Sequence, residues 1–226
     1  MGETTPARAV VLLSGGLDSA TTLAIAGNRN IECHTLALGY GQRHSTELAA
    51  AENLSRTLGA ASHRTVSVDL RAIGGSALTD DIEVPEHRSN GIPVTYVPAR
   101  NTILLSIAMG LAETLDAGEI HIGVNAIDYS GYPDCRPQFI AAFQDLARIA
   151  TRRATMGESV EIITPLIHLT KAEIIRLGTG LGVDYAMTVS CYQADQQGRA
   201  CGRCDSCAIR REGFAAAGLP DPTRYA

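Results

Sequence analysis

The stretch VVLLSGGLDSAT, Val10–Thr21, decides how the rest of the chain is read. An apolar run from Ala9 to Leu13 reads as a buried strand. It stops at Ser14-Gly15-Gly16, and Ser19–Gly27 reads as a helix closed by its glycine. Glycines at such a junction let backbone N–H groups approach a ligand with no Cβ in the way. The helix N-terminus behind them favours an anion, and Ser14 and Ser19 add hydroxyl donors, so a phosphate is the natural guest. Asp18 is an anion beside that anion. It fits if Mg²⁺ bridges it to the phosphates, or if it caps the helix. The stretch is neither a GxxxxGK[ST] loop nor a GxGxxG fingerprint.

Outward from this junction, short apolar runs alternate with helical stretches. Ile31–Leu38, His63–Leu70, Glu119–Val124 and Val160–Thr164 read as further strands. His44–Leu58, Thr102–Leu115 and Pro137–Thr155 read as helices, and Thr170 and Glu173 have capping-box spacing for another. Ile73–Pro93, with GGS, TDD, VPEH and SNGIP, breaks the rhythm and reads as an irregular insertion. The alternation predicts an α/β fold: a doubly wound parallel sheet of about five strands. Such sheets bind ligands beyond the C-terminal ends of their strands.

The 226 residues carry a net charge of -5, no Trp and three Phe. The acidic balance argues against a general nucleic-acid grip, and the few aromatics against a stacking platform. No apolar stretch reaches the length of a membrane span, and MGETTPARAV reads as a short lead-in and not a signal peptide, so a cytoplasmic location is expected. Of six cysteines, Cys191, Cys201, Cys204 and Cys207 crowd near the C-terminus. Four thiolates at this spacing suit a tetrahedral, coordinatively closed Zn²⁺ with a structural role; a metal-free cluster, disulfides or an iron–sulfur site are the alternatives. Residues 1–186 are then expected to form the α/β domain and 187–226 a zinc-binding segment packed on it.

SGGxDS after a first strand resembles the PP-loop of the N-type ATP pyrophosphatases, with an adenine nucleotide alpha hydrolase-like (Rossmann-like) fold. GYGQRH (Gly39–His44), VPARN (Val97–Asn101), DYSGYPDCRPQF (Asp128–Phe139) and the cysteine quartet narrow the choice. In order and spacing, along nearly the whole chain, they resemble the 7-cyano-7-deazaguanine synthase family, with Gly39 where that family is expected to carry Asp. The resemblance implies ATP-dependent conversion of 7-carboxy-7-deazaguanine and ammonia to the nitrile, through adenylation and an amide. It assigns Leu13, Ser14, Gly15, Gly16, Leu17, Asp18 and Ser19 to the ATP phosphates. Asp18, Arg43, His44, Arg100 and Lys171 are the candidate catalytic residues, and Gln42, Asn101, Tyr132 and Asp134 the candidate substrate-binding ones. Tyr132 is expected to stack on the deazapurine and Asp134 to accept hydrogen bonds from its edge. Lys171 either neutralises charge on the phosphates or is an exposed first-turn lysine. Cys135 reads as a small buried residue and not a nucleophile. The implied partners are ATP with Mg²⁺, ammonia and the deazaguanine acid, with no stable nucleic-acid binding and a possible homodimer. Asp18→Ala is expected to keep the fold and abolish turnover. Related PP-loop enzymes that transfer a deazaguanine to another acceptor, or that thiolate tRNA, are the alternatives.

Overall fold

The computed structural model describes residues 7–41, 46–86, 91–127 and 131–226. Five strands form one sheet: β1 (Arg8–Leu12), β2 (Glu32–Gly39), β3 (Ser62–Ser67), β4 (Glu119–His121) and β5 (Glu161–Ile163). All pairings are parallel, in the order β3-β2-β1-β4-β5. The chain winds outward from β1 to β2 and β3, then crosses back to β4 and β5. The reversal leaves a crevice where β1 and β4 end.

Alternate residues of β1 face opposite layers, which is why its apolar run is continuous. Val10 and Leu12 pack with Leu36, Ile120 and Ile162 under α3 (Arg100–Leu115) and α4 (Pro137–Ala147). Val11 and Leu13 pack with Leu23 of α1 (Leu17–Asn28), Leu54 of α2 (Thr46–Thr57) and Ile174 of α6 (Lys171–Gly180). Phe214 of α7 (Asp205–Ala217) joins this second layer. The doubly wound sheet expected from the sequence is therefore present.

The helix expected to close at Gly27 runs through it to Asn28 and is capped at Arg29, and two further elements differ from expectation. The helix expected over Pro137–Thr155 stops at Ala147, and a single turn, α5 (Arg152–Thr155), follows. Thr151 has extended backbone, and its hydroxyl accepts from the Ala154 amide, so a new cap replaces the continuing ladder. Beyond the cysteines, where only a helix start is legible, α7 runs for three turns.

The described part of the 73–93 insertion has no helix or strand. Ala77, Leu78 and Val84 are buried together with Cys191, Ala200, Cys204 and Cys207, so the insertion roofs the cysteine segment.

Candidate active site

A cavity of about 230 Å³ opens at the crevice between β1 and β4. Its floor is Leu12–Ser14 and Gly16–Ser19; its walls include Ile122–Asn125, Arg100, Asn101, Tyr132 and Val189–Tyr192. All of these follow the C-terminal ends of strands or come from the C-terminal segment.

The loop after β1 is held by its own hydroxyls. Ser14 N donates to Ser19 Oγ at 3.2 Å, Gly16 N donates to Ser14 Oγ at 3.4 Å, and Ser19 Oγ donates to Gly16 O at 3.0 Å. Gly15 has φ +87°, and a Cβ there would sit 2.3 Å from the Glu47 carbonyl oxygen. The loop therefore presses against the first turn of α2, which only glycine allows. The C-terminal segment closes the other side. Val189 N donates to Gly15 O at 2.9 Å, and Leu17 N donates to Ser190 Oγ at 3.2 Å.

Asp18 does not cap α1; Gly16 occupies that position and makes no side-chain cap. The Asp18 carboxylate instead receives Lys171 Nζ at 2.6 and 2.8 Å. Lys171 is not an exposed lysine, for its side chain is 7% exposed. It opens α6 behind the Thr170–Glu173 capping box, as the spacing predicts. Its stem crosses Gly213 of α7, where a Cβ would meet Lys171 Cγ at 2.3 Å.

Arg100 begins α3 after Ala99, which is left-handed at φ 55°. Its guanidinium lies 5.9 Å from the centre of the Tyr40 ring and makes no ion pair with any described residue. Asn101 and Asp134 tie two sequence motifs together. Asn101 N donates to Asp134 Oδ2, and Asn101 Nδ2 donates to Asp134 O, both at 2.9 Å. Asp134 thus satisfies an orphan amide in the first turn of α3 from outside the helix. It does not line the cavity, unlike Tyr132, Asn101 and Cys135. Tyr132 Oη bonds Thr95 Oγ1 at 2.9 Å and Tyr192 Oη at 3.2 Å. Burial pushes the Cys135 thiol up to about 12, against the lowering effect of Arg100, so it stays protonated at neutral pH. Gln42, Arg43 and His44 lie outside the described residues.

Glu47, Ser190 and Tyr192 also line the cavity and carry no signal in the sequence, and so does Tyr40, which stands in GYGQRH but is not singled out there. Glutamate in a first helical turn is ordinary, because the helix dipole favours it. Here burial raises the Glu47 carboxyl to about 7, although Arg100 pulls it down. A carboxyl raised from 4.5 to about 7 on folding weakens the folded state progressively as pH climbs through that window. Glu47→Gln is therefore expected to raise Tm by a few degrees at pH 8 and by nothing below pH 4, read by calorimetry at both.

The four cysteine sulfurs lie within 4.8 Å of one another. Cys191 Sγ is 3.9 Å from Cys204 Sγ, which is 3.6 Å from Cys207 Sγ. A tetrahedral ion with bonds of about 2.3 Å needs sulfur–sulfur edges of about 3.8 Å. Backbone amides already point at the sulfurs. Gln193 N and Cys201 N donate to Cys191 Sγ at 3.3 and 3.2 Å, and Arg203 N and Cys204 N to Cys201 Sγ at 3.4 Å. The quartet is thus able to hold one metal ion, and its donors are all thiolates.

No helix among the described residues is long and apolar enough to cross a membrane. The family model described as "Queuosine biosynthesis protein QueC" matches residues 8–218. A 7-cyano-7-deazaguanine synthase of Methylococcus capsulatus is 65% identical over 96% of this chain and 98% of its own length. That of Thiobacillus denitrificans is 64% identical over the same shares. Among solved structures, a 4-thiouridine synthetase in complex with RNA and bound ATP aligns over 97% of this chain and 47% of its own, with TM-score 0.53 and 18% identity. The NMN synthetase of Francisella tularensis aligns over 95% of this chain and 78% of its own, with TM-score 0.50 and 17% identity. These two likenesses concern the fold. With a loop, a cavity and a cysteine quartet assembled as above, and a match over nearly its whole length, the chain belongs to the QueC family of queuosine biosynthesis, the 7-cyano-7-deazaguanine synthases.

Proposed function

We propose that this chain converts 7-carboxy-7-deazaguanine, ATP and ammonia to 7-cyano-7-deazaguanine through an acyl-adenylate and then an amide. A carboxylate is a poor electrophile. Attack of its oxygen on the α-phosphorus expels pyrophosphate and turns that oxygen into part of a leaving group. Ammonia then adds to the acyl carbon and AMP departs, leaving the amide. The amide oxygen then attacks a phosphorus of a second ATP; that oxygen departs with the phosphoryl group, both N–H protons are lost, and the nitrile remains.

The observation that carries this reading is one cavity bringing together the Ser14–Ser19 loop, Arg100 and Tyr132. The loop amides and the Ser14 and Ser19 hydroxyls receive the departing pyrophosphate. Asp18 would hold a magnesium ion arriving with ATP, which supplies charge neutralisation when bound. Lys171 Nζ, already at the loop, adds positive charge where pyrophosphate charge develops. Arg100 takes the substrate carboxylate or the α-phosphate, for which a guanidinium is shaped. Tyr132 offers its ring to the deazapurine; Asn101 and Asp134 fix the turn that carries it. The metal at the cysteine quartet is zinc, and it is structural: four thiolates leave no open position for substrate.

Carboxylate labelled with ¹⁸O tests the adenylation. One ¹⁸O is expected in AMP for each amide formed, and the amide keeps the other. Unlabelled AMP formed alongside the amide would exclude it.

A further inference from the structure

Two carboxylates line the cavity among the described residues, Asp18 and Glu47. Asp18 is held by Lys171. Glu47 makes no ion pair and no side-chain hydrogen bond among the described residues. Its neighbour Thr46 lines the same cavity and has a buried hydroxyl oxygen with no hydrogen-bond partner among the described residues. Among the described residues, two adjacent side chains with acceptor oxygens, one of them a carboxyl, thus lack hydrogen-bond partners in the cavity. Leaving such groups without partners is costly in a folded chain.

We infer that Thr46 and Glu47 bind the ammonium ion and that Glu47 takes its proton. The inference rests on the reaction proposed above. At neutral pH the nitrogen donor arrives almost wholly as ammonium, which has four donors, no lone pair and a positive charge. A carboxylate and a hydroxyl match it in charge and in hydrogen bonding. Proton transfer gives ammonia and the Glu47 carboxylic acid. The freed lone pair forms the C–N bond at the acyl carbon, the C–O bond to AMP breaks, and the surplus N–H proton leaves to solvent.

The surroundings suit the task. Arg100 and Tyr40 line the same cavity and act electrostatically on Glu47, and the Gly15 turn abuts its backbone. Burial brings its carboxyl to about 7, near the working pH, where a general base is most effective. The site lies at the first turn of α2, against the loop that positions ATP, so the nitrogen waits beside the carboxylate being activated.

The test compares ammonium chloride with hydroxylamine, which is largely uncharged at neutral pH and needs no base. In Glu47→Gln, amide and nitrile formation from ammonium are expected to fall by about 10²-fold. Hydroxamate formation from hydroxylamine is expected to fall less than about threefold, a far smaller loss than a general base contributes. The acid limb of kcat/KM for ammonium, near pH 7 in the unaltered enzyme, should vanish in the variant. Thr46→Val is expected to raise KM for ammonium several-fold with kcat nearly unchanged. Equal losses with both nucleophiles would overturn the inference, because Glu47 would then act on adenylation or folding. An undiminished rate with ammonium would overturn it as well. If the unaltered enzyme forms no adenylate at all, the reaction itself is misassigned and the inference goes with it.

Discussion

Asp18→Ala is expected to lose turnover by about 10³-fold, the scale seen when a preorganised charge-stabilising group is removed from an active site. It should also lose stability by about 3 kcal/mol. The second loss departs from what the sequence alone suggests. Read as a loop carboxylate, Asp18 seems removable without harm to the fold. In the structure it accepts two hydrogen bonds from a lysine whose side chain is 7% exposed. Removing one partner of a buried pair strips compensation from the other charge. The two losses separate in a double variant. Asp18→Ala with Lys171→Met replaces the buried pair by apolar groups, which is often neutral for stability. Calorimetry should show the melting temperature largely restored, and steady-state assays no turnover. Activity returning with stability would mean that Asp18 matters only for folding.

Cys204→Ala is expected to lower Tm by about 10 °C or more and to abolish ATP binding, although Cys204 does not line the cavity. The route is geometric. A metal on the four sulfurs would tie residues 191 to 207 together, and the Ser206 hydroxyl donates to the Ser190 carbonyl. Val189 and Ser190 in turn bond Gly15 and Leu17 in the phosphate loop. Loss of that metal would therefore release one wall of the cavity. Elemental analysis should find one zinc per unaltered chain and much less in the variant. Isothermal titration should show no ATP binding to the variant. Unchanged ATP affinity in a zinc-free, folded variant would separate the metal from the site.

Much of this was legible before the structure. The apolar run into Ser14-Gly15-Gly16, the alternating strands and helices and the four clustered cysteines are local patterns, and local patterns survive in one dimension. The doubly wound sheet, the loop and the cysteine cluster accordingly stand where expected. The illegible part is contact across the chain. Lys171 meets Asp18 from 153 positions away, and nothing at either position marks the other. Asp134 resembles a residue that reads a ligand edge, yet its carboxylate accepts from the first turn of α3. Glu47 resembles an ordinary helix-start glutamate until the cavity wall is drawn around it. The break after Ala147 arises from a threonine whose hydroxyl competes with the helix ladder, a choice propensity alone does not settle.

The most direct test of the account is one incubation of the metal-replete protein with MgATP, [¹⁵N]ammonium and 7-carboxy-7-deazaguanine, read by mass spectrometry. The account predicts a nitrile carrying one ¹⁵N, formed only when ATP and ammonium are both present, with the ¹⁵N-amide appearing before it. A folded, metal-loaded protein that forms neither product would contradict it.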